Sequence, residues 1–262
     1  MSKKSLSQYF LINYGLARDI AEVVAHNSPD GQVVEIGGGK GILTRALLHE
    51  GLSVRTVEID SKLADCLAES YRDNANLTVV NEDILKLNPE TLSKNGNISL
   101  CGNIPYHISG LILRWISENS QYISHVVLMV QKEVGLRIAG KPGDREFGAL
   151  SIILGIDYDA EYLFDVDQEN FKPQPKVDSA VVQLGRRQKP MICADDRDAF
   201  IKLVKKAFSA RRKKIINSLK GYRGLDAERL SEFFVRCGLD SNLRPDKISI
   251  SEYIELYYVI HR

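Results

Sequence analysis

Long apolar runs are missing from this chain. No stretch approaches the roughly 18 to 20 residues needed to cross a bilayer as a helix, so no transmembrane helix is expected. Met1-Ser2-Lys3-Lys4-Ser5 carries two lysines, but no apolar segment follows, so no secretory signal is expected either. Cysteine is sparse: Cys66, Cys101, Cys193 and Cys237 stand far apart, and no Cys-x-x-Cys pair occurs. That spacing excludes a zinc ribbon and a disulfide framework, predicts no bound metal, and fits reduced thiols in the cytoplasm. Internal repeats and low-complexity tracts are also lacking. From Ala199 to Leu225 there is no acidic residue at all. The same stretch holds Lys202, Lys205, Lys206, Arg211, Arg212, Lys213, Lys214, Lys220 and Arg223. Against a net charge of only +1, such a block points to a surface facing a polyanion.

What is present fits a globular protein of one large or two ordinary domains, with 262 residues, 44% of them hydrophobic and enough for a substantial core. Residues 32 to about 130 alternate short strands with helices. Strands are predicted at Gln32 to Ile36, Ser53 to Ile59, Leu77 to Val80, Ile98 to Leu100 and Val126 to Val130. Helices are predicted at Ile42 to Glu50, stopped by Gly51, at Lys62 to Tyr71 and at Leu111 to Ser117. This alternation predicts an α/β fold, a mainly parallel sheet with helices on both faces. Ala149 to Ile156 and Ala180 to Leu184 are apolar and strand-like, and are expected as late strands, one of them antiparallel. Beyond residue 190 the pattern is helical: Phe200, Leu203, Val204 and Ala207 fall on one face, as do Leu230, Phe233 and Phe234. The expected division is a sheet domain over 1–189 and a small helical domain over 190–262, with the basic block in the second.

Three features at successive strand ends carry chemistry. Gly37-Gly38-Gly39-Lys40-Gly41 follows the first strand and opens a helix. Glycines allow a sharp turn and close approach of the backbone to a ligand. Glu58 ends the second strand, where a carboxylate accepts from ribose hydroxyls; that role suits NAD as well as S-adenosylmethionine. Asp83 ends the third and can accept from an adenine amino group, and Glu35, before the glycines, can meet an ammonium directly or through water. The fourth strand runs into Gly102-Asn103-Ile104-Pro105-Tyr106. Pro105 fixes its own φ and holds Ile104 extended. The Asn103 carboxamide and a neighbouring carbonyl can then accept from one exocyclic amine, while Tyr106 offers a face to the base. Phe171, followed by Pro173 and Pro175, is the expected second face of that sandwich.

The ordered set of motifs resembles the KsgA-type ribosomal RNA adenine dimethyltransferases, in their small-subunit branch, over nearly the whole chain. Ser7-Gln8-Tyr9-Phe10-Leu11 matches the family's Gly-Gln-Asn-Phe-Leu, and Glu35 to Gly41 matches Glu-Ile-Gly-Pro-Gly-x-Gly. Val57-Glu58-Ile59-Asp60 and Asp83 match the next cofactor positions, and Gly102 to Ser109 matches Gly-Asn-Leu-Pro-Tyr-Asn-Ile-Ser. Gln131-Lys132-Glu133-Val134, Phe147 to Ser151, Phe171 to Ser179, Ala207-Phe208, Arg211-Arg212-Lys213 and Asn217-Ser218-Leu219 are family-like too.

The resemblance implies a Rossmann-like class I methyltransferase domain with S-adenosylmethionine as cofactor. Tyr9, Leu11, Gly37, Glu58, Asp83 and Asn103 stand at its cofactor positions, with Glu35, Gly39 and Gly41 completing the turn. Asn103, Pro105, Tyr106 and Phe171 would hold an adenine for methylation at N6, implied to be two adjacent adenines near the 3′ end of small-subunit (16S) rRNA. Lys205, Lys206, Arg211, Arg212, Lys213 and Lys214 would grip phosphates without reading sequence, and Lys132, Arg137 and Lys141 would extend that surface. The expected partner is rRNA in a pre-ribosomal particle, met by a cytoplasmic monomer active in ribosome biogenesis. Tyr9 for Asn and His107 for Asn depart from the family pattern, as does Gly38 for Pro, which is expected to loosen the turn. The alternatives are a macrolide-resistance type of large-subunit (23S) rRNA methyltransferase, an assembly factor acting by binding, a DNA adenine methyltransferase and, least favoured, an NAD oxidoreductase.

Overall fold

The computed structural model describes residues 8–92 and 97–262. The readings placed on Met1 to Ser5 and on Ser7 lie outside the described residues.

In chain order, the elements are β1 (Phe10–Leu11), α1 (Tyr14–His26), β2 (Gln32–Ile36), α2 (Ile42–His49), β3 (Ser53–Glu58), α3 (Ser61–Ser70), β4 (Leu77–Asn81), β5 (Ile98–Asn103), α4 (Ser109–Glu118) and β6 (Ile123–Gln131). They continue with α5 (Lys132–Ala139), α6 (Ala149–Gly155), β7 (Tyr158–Val166), β8 (Phe171–Lys172), β9 (Ser179–Arg186), α7 (Ala194–Phe208), α8 (Ile215–Leu219), α9 (Ala227–Arg236) and α10 (Ile250–His261).

Seven strands form one sheet in the order β4-β3-β2-β5-β6-β9-β7. The pairs among β2, β3, β4, β5 and β6 are parallel, and β9 runs antiparallel to β6. The chain leaves β2 outward through β3 and β4, then crosses back to β5 on the other side of β2. The order therefore reverses between β2 and β5, and the crevice at their carboxyl ends is where open sheets bind ligands. β1 pairs antiparallel with β8, Leu11 opposite Phe171. Asn13 caps α1 by accepting from the Leu16 amide, and the helix buries Ala17, Ile20, Ala21 and Val24. That stripe packs with Leu43 and Leu47 of α2 against Val33, Val54, Cys101 and Val127 of the sheet. α1 had no counterpart in the sequence reading, although its buried residues fall at i, i+3, i+4 and i+7.

Two compact units are resolved. The first runs to Gly135 and resumes over Glu161–Arg186; the second comprises Leu136–Ala160 and Arg187–Arg262. A single cut near residue 190 misses the insertion, because Phe147, Ile152 and Ile156 belong to the same core as Phe200, Phe234, Tyr253 and Tyr257. Within that insertion the expected strand at Ala149 to Ile156 is the helix α6. The Gly148 amide donates to Ser151 Oγ at 3.1 Å and opens it. A short apolar run suits a buried strand and a buried helix equally, and packing on all sides decided for the helix. The late antiparallel strand is β9, as expected at Ala180 to Leu184; β7 had no counterpart in the sequence reading.

Candidate active site

The switch-point crevice belongs to the first unit. Its floor is the glycine turn: Gly37, Gly39 and Gly41 have φ of 73°, 54° and 80°, conformations that side-chain-bearing residues rarely adopt. At Gly38 a Cβ would lie 2.3 Å from Thr56 Cγ2 and 2.8 Å from Leu67 Cδ1, so a side chain there would need these neighbours to shift. The Gly37 amide donates to the Val57 carbonyl at 2.8 Å, tying the turn to β3.

Glu58, 2% exposed, is fixed at both oxygens: Oε2 accepts from the Gly39 amide and Oε1 from the Asp60 amide, each at 2.9 Å. A carboxylate so held keeps further lone pairs for hydroxyls. Asp83 accepts from the Leu85 amide at 3.0 Å, which sets its carboxylate at the crevice edge. Glu35 lies beneath the turn, 1% exposed, with the Thr44 and Thr56 hydroxyls donating to its Oε2 at 2.7 and 2.6 Å. Burial pushes its carboxyl above the ordinary range, and the two hydroxyls pull the other way. Leu11 is buried and lines the cleft from β1.

At the end of β5 the Asn103 amide nitrogen donates to the Tyr9 carbonyl at 3.0 Å. A carbonyl only accepts, so this contact fixes which end of the carboxamide faces Tyr9 and turns Oδ1 away as an acceptor. The Pro105 carbonyl accepts from the Ile108 amide at 3.1 Å. Tyr106 is pinned through its hydroxyl to Ser179 Oγ at 2.7 Å, and burial pushes its phenol upward. The Tyr9 ring lies against Tyr106, centroids 5.2 Å apart and planes tilted 37°.

The crevice is a cleft open to solvent at its mouth, lined by apolar surface with a few polar groups converging on it. It brings together Tyr9, Leu11, Glu35, Gly37, Gly39, Glu58, Asp83, Asn103, Pro105 and Tyr106. Gly41 shapes the turn without lining the crevice, and Phe171 does not line it either. Phe171 is 3% exposed, in the core with Leu11, Val166 and Val181, so the expected second aromatic face is absent from the slot in this arrangement. The pairing of β8 with β1 turns that side chain inward.

Phe10 and Ile59 stood inside matched motifs without a role of their own, and Ile84 stood outside them. Ile59, 55% exposed directly after Glu58, and Ile84, directly after Asp83, present apolar surface in the crevice. Phe10 packs over the turn with Lys40 Nζ 4.8 Å from its ring centre.

In the second unit, Lys205 and Lys206 end α7, and Arg211, Arg212, Lys213 and Lys214 lie between α7 and α8. Arg211 donates to the Arg145 carbonyl and Lys214 to Asn242 Oδ1, the latter at 2.7 Å. Lys205, Arg212 and Lys213 are exposed. Lys132, in the first unit, pairs with Asp165 at 2.6 Å, both side chains being exposed. Among the described residues no group of acidic, histidine or cysteine side chains has metal-site geometry, and no helix is long and apolar enough to cross a membrane.

The chain was compared with known proteins. A family model described as ribosomal RNA adenine dimethylase matches residues 1–261. Ribosomal RNA small subunit methyltransferase A of Geobacter metallireducens is 37% identical over 259 residues, covering 97% of this chain and 94% of that protein. Among solved structures, the 23S rRNA methyltransferase ErmE superposes with a TM-score of 0.75 at 27% identity, covering 97% of this chain and 100% of that one. A dimethyladenosine transferase from Plasmodium falciparum reaches 0.79 at 23% identity over 94% and 95%, a likeness of fold.

Proposed function

Because the chain belongs to the ribosomal RNA adenine dimethylase family, we propose that it methylates N6 of two adjacent adenines near the 3′ end of small-subunit (16S) rRNA, within a pre-ribosomal particle. It is an S-adenosylmethionine-dependent enzyme with a Rossmann-like class I methyltransferase unit and a helical unit. It acts as a cytoplasmic monomer in ribosome biogenesis.

The observation that carries the reading is the anchored carboxamide of Asn103, with its nitrogen committed to Tyr9 and its oxygen available. S-adenosylmethionine, when bound, supplies an activated methyl group. Glu58 would hold its ribose; Ile59, Ile84 and Asp83 would hold its adenine; the glycine turn and the region above Glu35 would hold its amino-acid end. The acceptor amine is a poor nucleophile because its lone pair is delocalised into the ring. Asn103 Oδ1 and a backbone carbonyl accept from its N–H groups, two before the first transfer and one before the second. They favour a pyramidal nitrogen and stabilise the positive charge that develops there, and one proton leaves the nitrogen after each attack. The second acceptor is the Ile104 or the Pro105 carbonyl; the latter already accepts from the Ile108 amide and keeps one further lone pair. Positioning supplies much of the remainder, and no strong base is needed before attack. Tyr106 stacks on the extruded base, and the basic block of the second unit grips phosphates.

The likeness to a 23S rRNA methyltransferase favours a second reading, on the large subunit. The higher identity to a small-subunit enzyme argues against it. Incubating both ribosomal subunits with labelled S-adenosylmethionine, then mass spectrometry of the rRNA, should place dimethyladenosine in small-subunit RNA; label confined to the large subunit would overturn the assignment.

A further inference from the structure

We propose that Tyr9 is the second aromatic face of the acceptor slot: its ring covers Tyr106 in the free enzyme, and the incoming base displaces it and is then held between the two. This rests on the reading that the slot receives an adenine.

The two tyrosines stand between two openings. Both line the cofactor crevice, and both line a shallower recess with His107 and Gln131. A base entering from that recess toward Asn103 must pass between them. Their ring centres are 5.2 Å apart and tilted 37°. A base stacked on both needs roughly 7 Å, two van der Waals spacings. One ring must therefore move by about 2 Å. Tyr106 is tied to Ser179 at 2.7 Å, so it is the fixed wall, and Tyr9 is the one that swings. Its carbonyl need not follow: the bond from Asn103 engages the backbone, so the ring can turn about its side-chain bonds while Asn103 stays oriented.

Phe171 leaves the place open to Tyr9, since its own side chain is packed with Leu11 and Val181 in the core. Exchanging one ring–ring contact for two base–ring contacts is favourable, because a base gains more from stacking than a tilted tyrosine pair loses. The same exchange keeps the apolar face of Tyr106 covered until RNA arrives.

The test uses a single-stranded RNA hexamer carrying one 2-aminopurine, titrated into the full chain saturated with S-adenosylhomocysteine. Stacking quenches the probe. Wild type is expected to quench it. Tyr9→Ala should bind about tenfold more weakly and lose the quench, and Tyr9→Phe should recover most of both. On Tyr9→Ala the loss in RNA affinity should exceed any loss in S-adenosylhomocysteine affinity, measured by calorimetry, about fivefold or more, because every residue supplies the carbonyl at position 9 while only the ring meets the base. The inference is overturned if probe emission is the same on wild type and Tyr9→Ala, or if Tyr9→Ala loses S-adenosylhomocysteine in step with RNA, which would assign the ring to holding the cofactor instead of the base. None of these arms depends on which ribosomal subunit is methylated, so a failure of the small-subunit assignment is read separately, from labelling by the wild type.

Discussion

The sheet unit and the helical unit place their polar groups by opposite rules. In the sheet unit each functional side chain is fixed by a second group: Glu58 by two amides, Asn103 by the Tyr9 carbonyl, Glu35 by two hydroxyls, Tyr106 by Ser179. In the helical unit, Arg211 and Lys214 are engaged within the protein, while Arg212 and Lys213 project into solvent. Chemistry on a weak nucleophile depends on angles and distances, so it needs anchored groups. Holding a phosphate backbone depends on summed charge, which tolerates mobile side chains.

That contrast can be broken by substitution. The largest effect is expected at Asn103: Asn103→Ala should lower the single-turnover methyl-transfer rate about 100- to 1000-fold, the range for losing one preorganised polar group. Binding of S-adenosylmethionine and the melting temperature should change little by comparison. A variant that still transfers at near wild-type rate would remove the central role assigned to the carboxamide.

In the helical unit, no single residue should matter so much. Arg212→Glu with Lys213→Glu should weaken RNA binding about tenfold at low salt and flatten the slope of log affinity against log salt by roughly one to two. The rate with RNA saturating should remain. An unchanged salt slope would mean that this surface does not meet the phosphate backbone. Arg211 is the poorer choice for this test, because its bond to the Arg145 carbonyl makes its loss structural as well.

The smallest effect is expected at Glu35. Burial raises its folded pKa above the ordinary value of 4.5. The fold therefore accommodates the protonated form better. The stability it contributes is complete below pH 4.5 and is lost as pH rises through the raised folded value. Glu35→Gln keeps an acceptor for Thr44 and Thr56 and removes the titration. Melting curves of the cofactor-free protein from pH 4 to 8 should thus decline less steeply for Glu35→Gln than for wild type; parallel profiles would show that Glu35 does not titrate there.

Much of the sheet unit was legible because it repeats two simple periods. Apolar runs of strand length alternated with amphipathic helices, and each strand ended in a glycine, a carboxylate or an amide. The helix α6 was misread because Ala149 to Ile156 is apolar throughout and carries no period. Phe171 was misassigned because an aromatic beside two prolines gives no sign of which way it faces; the β1–β8 pairing set that. How near Thr56 and Leu67 come to Gly38 was not visible in the sequence either, because both approach from distant segments.

The sequence by itself determined most strands and helices between residues 32 and 131, the residues at the strand ends and the location of the positive charge, all of which follow from local periodicity and residue chemistry, while its ordered motifs carried the family resemblance. Tertiary structure decided which carboxamide end faces the slot, that residues 136–160 join the helical core, that Phe171 is buried and that Tyr9 covers Tyr106. Each of those depends on contacts between residues far apart in the chain, where small differences in packing and hydrogen bonding outweigh any local preference.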